Sequence, residues 1–448
     1  MSFTPTTTRS RIFSYSICAL ALAAPTLLQA QFTLSGELRP RTEYRHGFKR
    51  PVADPGEHAL FTEQRTRLNF DYQQEQVGFK LTLQDVRIWG ETGQINKSDG
   101  LSSIHEAWGS IGFTRRLSFK VGRQELVYDD HRVLGNLDWA AQGRSHDAAK
   151  LVFKDSTAAI HLGVALNQSS TVPEPAKLGS TFYQTPGGFA DLGGGLPNYK
   201  NLQFVWTEKK WDRFTITALG LNAGWQMPDT TVNYLHTWGI NPKYQFNRSW
   251  RVQGSGYYQH GKNRANQPVK AHLASLVVTY QRPNTRWTLG IGGDWVSGTA
   301  PGQTTSTTFD PLFGTHHKFY GLMDYFYVGS PHSQQGESVG LVDLFVKPTV
   351  NVTSKLTIAS QIHTFFSEVA VMNSNDPTTL LPARLGTELD VVTTYRYGKG
   401  ITFKGGYSQM LATSSMEALK GGDHTLVNHW GWIMISFKPF FLPAQSAK

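Results

Sequence analysis

Residues 31–45 alternate without a break. Phe32, Leu34, Leu38, Thr42 and Tyr44 fall on one side of an extended strand; Thr33, Ser35, Glu37, Arg39, Arg41, Glu43 and Arg45 fall on the other. The same two-faced pattern returns in segments of roughly ten residues along the rest of the chain, the period and length of membrane-crossing strands. A soluble sandwich also alternates, but its polar face meets bulk water. Here the polar face gathers Arg and Lys, and the apolar face ends in Tyr, Trp and Phe. Lipid outside and a charged, water-filled lumen inside account for both. The expected fold is therefore all-β, a transmembrane antiparallel barrel, and transport through a membrane is the leading reading.

The N-terminus carries an address. Arg9 and Arg11 form a basic region, Ile12 to Leu28 is mostly apolar, and Leu28-Gln29-Ala30 offers a cleavage site before Gln31. Residues 1–30 read as a signal peptide and 31–448 as the barrel. Cleavage removes Cys18, the single cysteine, and lowers the formal charge from +10 to +8 with the loss of two arginines. The mature chain then has no thiol or disulfide, and its positive balance favours anions in a confined aqueous passage.

Tight polar turns set the strand count. Candidates are Gln73–Gln76, Thr114–Arg116, Lys154–Thr157, Lys209–Asp212, Phe246–Ser249, Arg282–Thr285, Asn351–Ser354 and Gly398–Gly400, with longer Gly- and Pro-rich segments between them. Bacterial barrels combine short periplasmic turns with long external loops. Eight turns with both termini periplasmic give about eighteen strands. Counting Phe319–Val328 as a further strand breaks the alternation of short and long connections, so Gly298–Glu337 is assigned to one long external loop.

The alternation nominates lumen-facing cations: Arg39, Arg41 and Arg45 on the first strand, Arg65 and Arg67 on the second, Lys243 and Arg251 on a middle pair, and Arg396 near the end. Turned to lipid, each would cost about 2–4 kcal/mol near the midplane. Glu37, Glu43, Glu63 and Asp71 can neutralise some of them in a lumenal salt network. A direct role on a polyanion, whose carboxylates match guanidinium forks, stands beside that reading.

Two segments carry a resemblance. Val121-Gly122-Arg123-Gln124 runs through Asp129-Asp130-His131-Arg132 to Asp138-Trp139 and Gly143-Arg144, and Phe309-Asp310-Pro311 runs through His316-His317 to Gly321 and Asp324. With the signal and the strand pattern, they resemble the alginate export family of outer-membrane barrels. The resemblance implies an eighteen-stranded porin-like channel and an arginine- and lysine-rich lumen that passes an acidic polysaccharide. It carries Arg123, Arg132 and Arg144 over as candidate pore positions, and Asp129, Asp130 and Asp138 as a loop-fixing network. One departure stands out. Gly398-Lys399-Gly400 is too short for the periplasmic plug of the family's alginate secretin, which favours a more open channel for anionic oligosaccharides or other small solutes.

Other chemistry is weakly motivated. His316 and His317 are adjacent, so on an extended segment they point apart and complete no metal site. No compact Ser-His-acid signature marks a lipid hydrolase. No recognition module accompanies the basic charge, so nucleic acid is not an expected partner. Trp238, Tyr244, Trp250, Trp287, Trp295, Trp430 and Trp432 are read as interface anchors. The expected partners are an acidic polysaccharide or another anionic solute, outer-membrane lipid and lipopolysaccharide. The expected state is a monomeric barrel with no cofactor; a plugged, adhesive barrel is the alternative.

Overall fold

The computed structural model describes residues 31–95, 100–167, 198–227, 231–374 and 376–442. The signal segment with Cys18 and residues 168–197 lie outside the described residues.

Eighteen long strands form one antiparallel sheet: β1 (Gln31–His46), β2 (Ala59–Gln74), β3 (Val77–Ile88), β4 (Ser102–Gly112), β5 (Leu117–Gln124), β6 (His146–Lys154), β7 (Ala158–Leu166), β8 (Asn201–Lys210), β9 (Phe214–Gln226), β10 (Val232–Gln245), β11 (Trp250–Lys262), β12 (Pro268–Tyr280), β13 (Trp287–Val296), β14 (Leu341–Asn351), β15 (Leu356–Phe366), β16 (Arg384–Gly398), β17 (Ile401–Ala412) and β18 (Asn428–Phe437). Each pairs with its sequence neighbour, and β18 pairs back onto β1 from Leu38–Phe437 to His46–His429, closing the barrel. Closure satisfies every strand edge, which a wall in contact with lipid requires.

All eight expected turns fall between consecutive strands at one end of the barrel. The Gly398–Gly400 turn is as tight as the sequence indicated, with Gly398 opposite Ile401. Most connections at the other end are longer, although 227–231 and 263–267 are as short as the turns, and residues 297–340 contribute no strand to the wall. That stretch is not wholly external, however. Phe309, Tyr320, Met323, Tyr325 and Phe326 are buried, because the segment folds into the barrel. Aromatic side chains that read as loop residues supply the apolar surface that drives this inward packing.

The two faces behave as the alternation requires. Ile240, Leu276, Leu344 and Ile433 remain 54–66% exposed on the outer wall, an apolar surface suited to lipid. The inner wall is divided. Its β1–β2 and β16 parts carry buried Arg, Glu and Asp, whereas β8, β9 and β12 turn Leu202, Phe204, Leu219, Leu221, Ala271 and Leu273 inward. The inward segments pack on this apolar half and share one core with it through Leu126, Leu134, Phe309 and Leu312. A charged, water-filled lumen was expected; its β8, β9 and β12 part is instead apolar and packed against the inward segments.

Candidate functional site: the divided lumen

Two connections enter the lumen and meet. The first, residues 125–145, joins β5 to β6; the second is the 297–340 segment. Their backbones bond at Gly135 N to Phe313 O (2.9 Å), Phe313 N to Val133 O (3.0 Å) and Thr315 N to His131 O (2.8 Å). Trp139 stacks on His317 with ring centroids 4.4 Å apart and planes 15° from parallel.

The arginines of β1 and β2 hold the first connection. Arg65 donates to Glu37 (2.9 Å) and to the Asp138 carboxylate (2.8 Å). Arg39 donates to the Asp138 carbonyl (2.8 Å). Arg41 pairs with Glu43 (2.8 Å) and Glu63 (2.7 Å), donates to the Trp139 carbonyl and lies 4.0 Å from the Trp139 ring centroid. Burial alone would raise the Asp138 carboxyl, but Arg65 and Arg39 outweigh it and bring it down to about 2. Arg67 donates to Gln84 (2.8 Å) and packs under Gly143, whose φ of +63° and 2.8 Å approach of a virtual Cβ to Arg67 leave no room for a side chain. Arg45 pairs with Glu43 (2.8 Å) and lies over Phe48. These cations therefore form mainly the salt network, bound to acids and to loop carbonyls.

The motif residues divide in the same way. Arg132 is fully enclosed and pairs with Asp294 (2.7 Å) and Asp130 (2.8 Å), with the Tyr320 hydroxyl at 2.9 Å. Asp129 accepts from Trp206 (2.9 Å) and from Thr217 on the opposite wall; burial raises its carboxyl above the usual range despite these donors. Arg144 donates to Gly314 O (2.8 Å) and joins the two connections, and burial lowers it to about 10. Neither Arg132 nor Arg144 faces open lumen. Arg123 departs further: it shares the outward face of Val121 and pairs with Asp147 at 3.3 Å. Gly122, just before it, adopts φ +121° while the ladder keeps its register through Gln124, so Arg123 stays on the outward face and motif proximity did not translate into a lumenal position.

Trp430 and Trp432 are also corrected. Both are buried on the inner face of β18, with Ile433 outward, and Trp430 Nε1 donates to Glu43 (2.9 Å). Trp238, Trp250, Trp287 and Trp295 do stand exposed on the outer wall. Of the remaining candidates, Lys243 lies on the inner face of β10, while Arg251 and Arg396 are exposed near the short-turn end. His316 engages the Tyr327 and Pro311 carbonyls and His317 engages Asp324 (2.7 Å), so the adjacent histidines diverge.

The 309–327 segment separates two open volumes. Toward the short turns is a cavity of about 570 Å³ bordered by Arg39, Trp139, His317, Lys318, Lys404 and Lys438. Toward the long connections is a second volume of similar size, bordered by Arg264, Asp310, His316, Tyr327 and Glu337. Sequence reading missed Lys404 and Lys438; their alternation with outward Phe403 and Phe437 was the available signal.

The fold resembles solved porins. OccK9 (OpdG) of Pseudomonas aeruginosa superposes with a TM-score of 0.58 at 11% identity, over 92% of this chain and 98% of that one. A BenF-like porin from Pseudomonas fluorescens Pf-5 gives a TM-score of 0.58 at 13% identity, over 92% and 99%. No curated protein sequence matches the chain. The profile named Alginate export matches residues 30–397. An eighteen-strand closed barrel of porin type, matched by that profile over most of its length, belongs to the alginate export family.

Proposed function

We propose that the barrel passes anionic solutes across the outer membrane, in particular segments of an acidic polysaccharide or oligosaccharide such as alginate. In this reading residues 1–30 are removed, and the termini and short turns face the periplasm. The observation that carries the proposal is the cavity at the short-turn end. Lys404 and Lys438 are exposed on its wall. Glu37 pairs with Arg65 and, at 3.7 Å, with Lys438, and Asp138 pairs with Arg65 and Arg39, so these two acids face a surplus of cations that includes Lys318 and Lys404. The local balance is cationic, and a low-dielectric wall focuses that field on a passing carboxylate. Trp139 and Trp432 border the same space and supply flat apolar surface beside the cations.

Reversal potentials in a salt gradient test the proposal, measured on refolded protein in a planar bilayer with and without alginate fragments. Anion-selective current that fragments block supports it. Cation-selective current from folded protein overturns it. The interlocking of the two inward segments favours one second reading, a barrel closed at rest; folded protein that conducts nothing would support that instead.

A further inference from the structure

The outward face of β8–β12 is more polar near the long connections than a lipid-facing wall requires. His236 and His260 are directly cross-strand, with rings 4.9 Å apart, and Lys270 is the next partner of His260 on β12. Outward exposure of Trp238 and Tyr258, at 57% and 46%, places these three basic residues on the outer surface. Trp238 Nε1 donates to His260 Nε2 at 3.2 Å, which puts the proton of a neutral His260 on Nδ1 and leaves that N–H as a donor. An amide row continues the patch across β9 and β8: Asn222 donates to Gln203 (2.6 Å), and Gln203 to Asn201 (3.0 Å).

An apolar groove of about 520 Å³ adjoins this patch on the mid-wall side, between Val205, Trp238, Ile240 and Tyr258. Small residues form its floor. A virtual Cβ on Gly220 would lie 2.9 Å from the Trp238 ring, whereas one on Gly256 meets nothing closer than Ile240 at 3.8 Å. A headgroup-depth patch of donors above a narrow apolar groove is amphipathic in the sense of a single lipid molecule.

We propose that this face binds one phosphorylated, acylated glycolipid of the outer leaflet. An acyl chain lies along the glycine-floored groove. The phosphate meets Lys270 and the imidazole N–H groups, and sugar hydroxyls meet the Gln203 and Asn222 amides. Charge complementarity favours this occupant, because the patch offers one ammonium and several neutral donors. Near the strand ends a cation facing lipid costs only about 0–1 kcal/mol, so the patch is compatible with folding before any lipid arrives. The site is separate from the lumen and independent of the cargo.

Native mass spectrometry of the detergent-solubilised barrel, titrated with bis-phosphorylated lipid A or with phosphatidylethanolamine, tests the proposal. Wild type is expected to retain lipid A in preference. The combined H236A, H260A and K270A variant is expected to lose about tenfold in lipid A retention, roughly 1.4 kcal/mol, and with it the preference. Gly256→Leu, which fills the groove, is expected to weaken both lipids. Heat-modifiable migration in gels and unchanged conductance verify folding of each variant. Equal lipid A retention by wild type and the triple variant overturns the proposal, as does a wild type that holds phosphatidylethanolamine equally well.

Discussion

Arg132 and Asp294 lie 162 positions apart in sequence and 2.7 Å apart in the barrel, both almost wholly buried. The pair ties the first inward connection to β13, and Tyr320 of the second connection bonds the same guanidinium. Removing one partner leaves a charge stranded in a dry core, which typically costs 3–5 kcal/mol. Arg132→Met is therefore expected to lower the unfolding midpoint and to release both connections. Limited proteolysis should show new cleavage within 125–145 or 309–327; wild-type protection would contradict the structural role.

The lumenal cations should separate into two classes. Arg65→Met removes the buried partner that Glu37 and Asp138 share, leaving them Lys438 and Arg39 at 3.7 and 3.5 Å, so it is expected to reduce stability by several kcal/mol and to make the current noisier. Lys404→Gln with Lys438→Gln is expected to shift the reversal potential toward cations at nearly unchanged thermal stability. Opposite assignments of stability and selectivity would refute the division.

Trp139 covers the Arg41 guanidinium and stacks on His317. Truncation to Ala leaves a gap at the meeting point of the two connections. Single-channel conductance is expected to rise, and the unfolding free energy to fall by less than the roughly 3–5 kcal/mol of a fully buried Trp, because Trp139 is only half-buried. Unchanged conductance would show that the narrowest part of the path lies elsewhere.

Acid should release the first connection late. Asp138 has its carboxyl depressed from 3.8 to about 2, so its contribution is complete above the unfolded value near 4 and is lost as pH falls through about 2. Current noise is expected to remain at its neutral-pH level at pH 4 and to rise as pH falls toward 2. Asp138→Asn should show the noisy behaviour at every pH.

Gly321 adopts φ +83°, and a Cβ there would approach the Glu388 carboxylate to within 2.5 Å. The same carboxylate accepts the Met323 N–H at 2.8 Å. Gly321→Ala therefore forces the second connection off Glu388, at a cost of order 1–3 kcal/mol. Faster hydrogen exchange at Met323, with unchanged exchange in the β10–β11 ladder, is the expected signature.

Strand number, turn positions and wall faces were legible because they depend on local chemistry: period two along Arg65–Asp71, and turn formers at Asn247, Pro283 and Asn351. The interior was less legible. Arg39 and Arg65 have the same sequence pattern whether they face water or Asp138, and only the path of residues 125–145 decides between these. Trp430 and Trp432 share a face by spacing, but spacing does not identify which face. One signal was available and not used. The middle parts of β8 and β9 are apolar on both faces, as in Phe204–Trp206 and Ala218–Leu221, a pattern that marks an apolar environment on both sides.

The seam where β18 meets β1 is crossed from within by Trp430 bonding Glu43, and Trp139 is held by Arg41 from the same strand. The two ends of the wall therefore help to build the seat for a segment whose own sequence lies between them. An unclosed sheet offers Trp139 half a seat. Filling of the interior thus reports completion of the cylinder, and the segment acts as a latch that rewards only the finished ring.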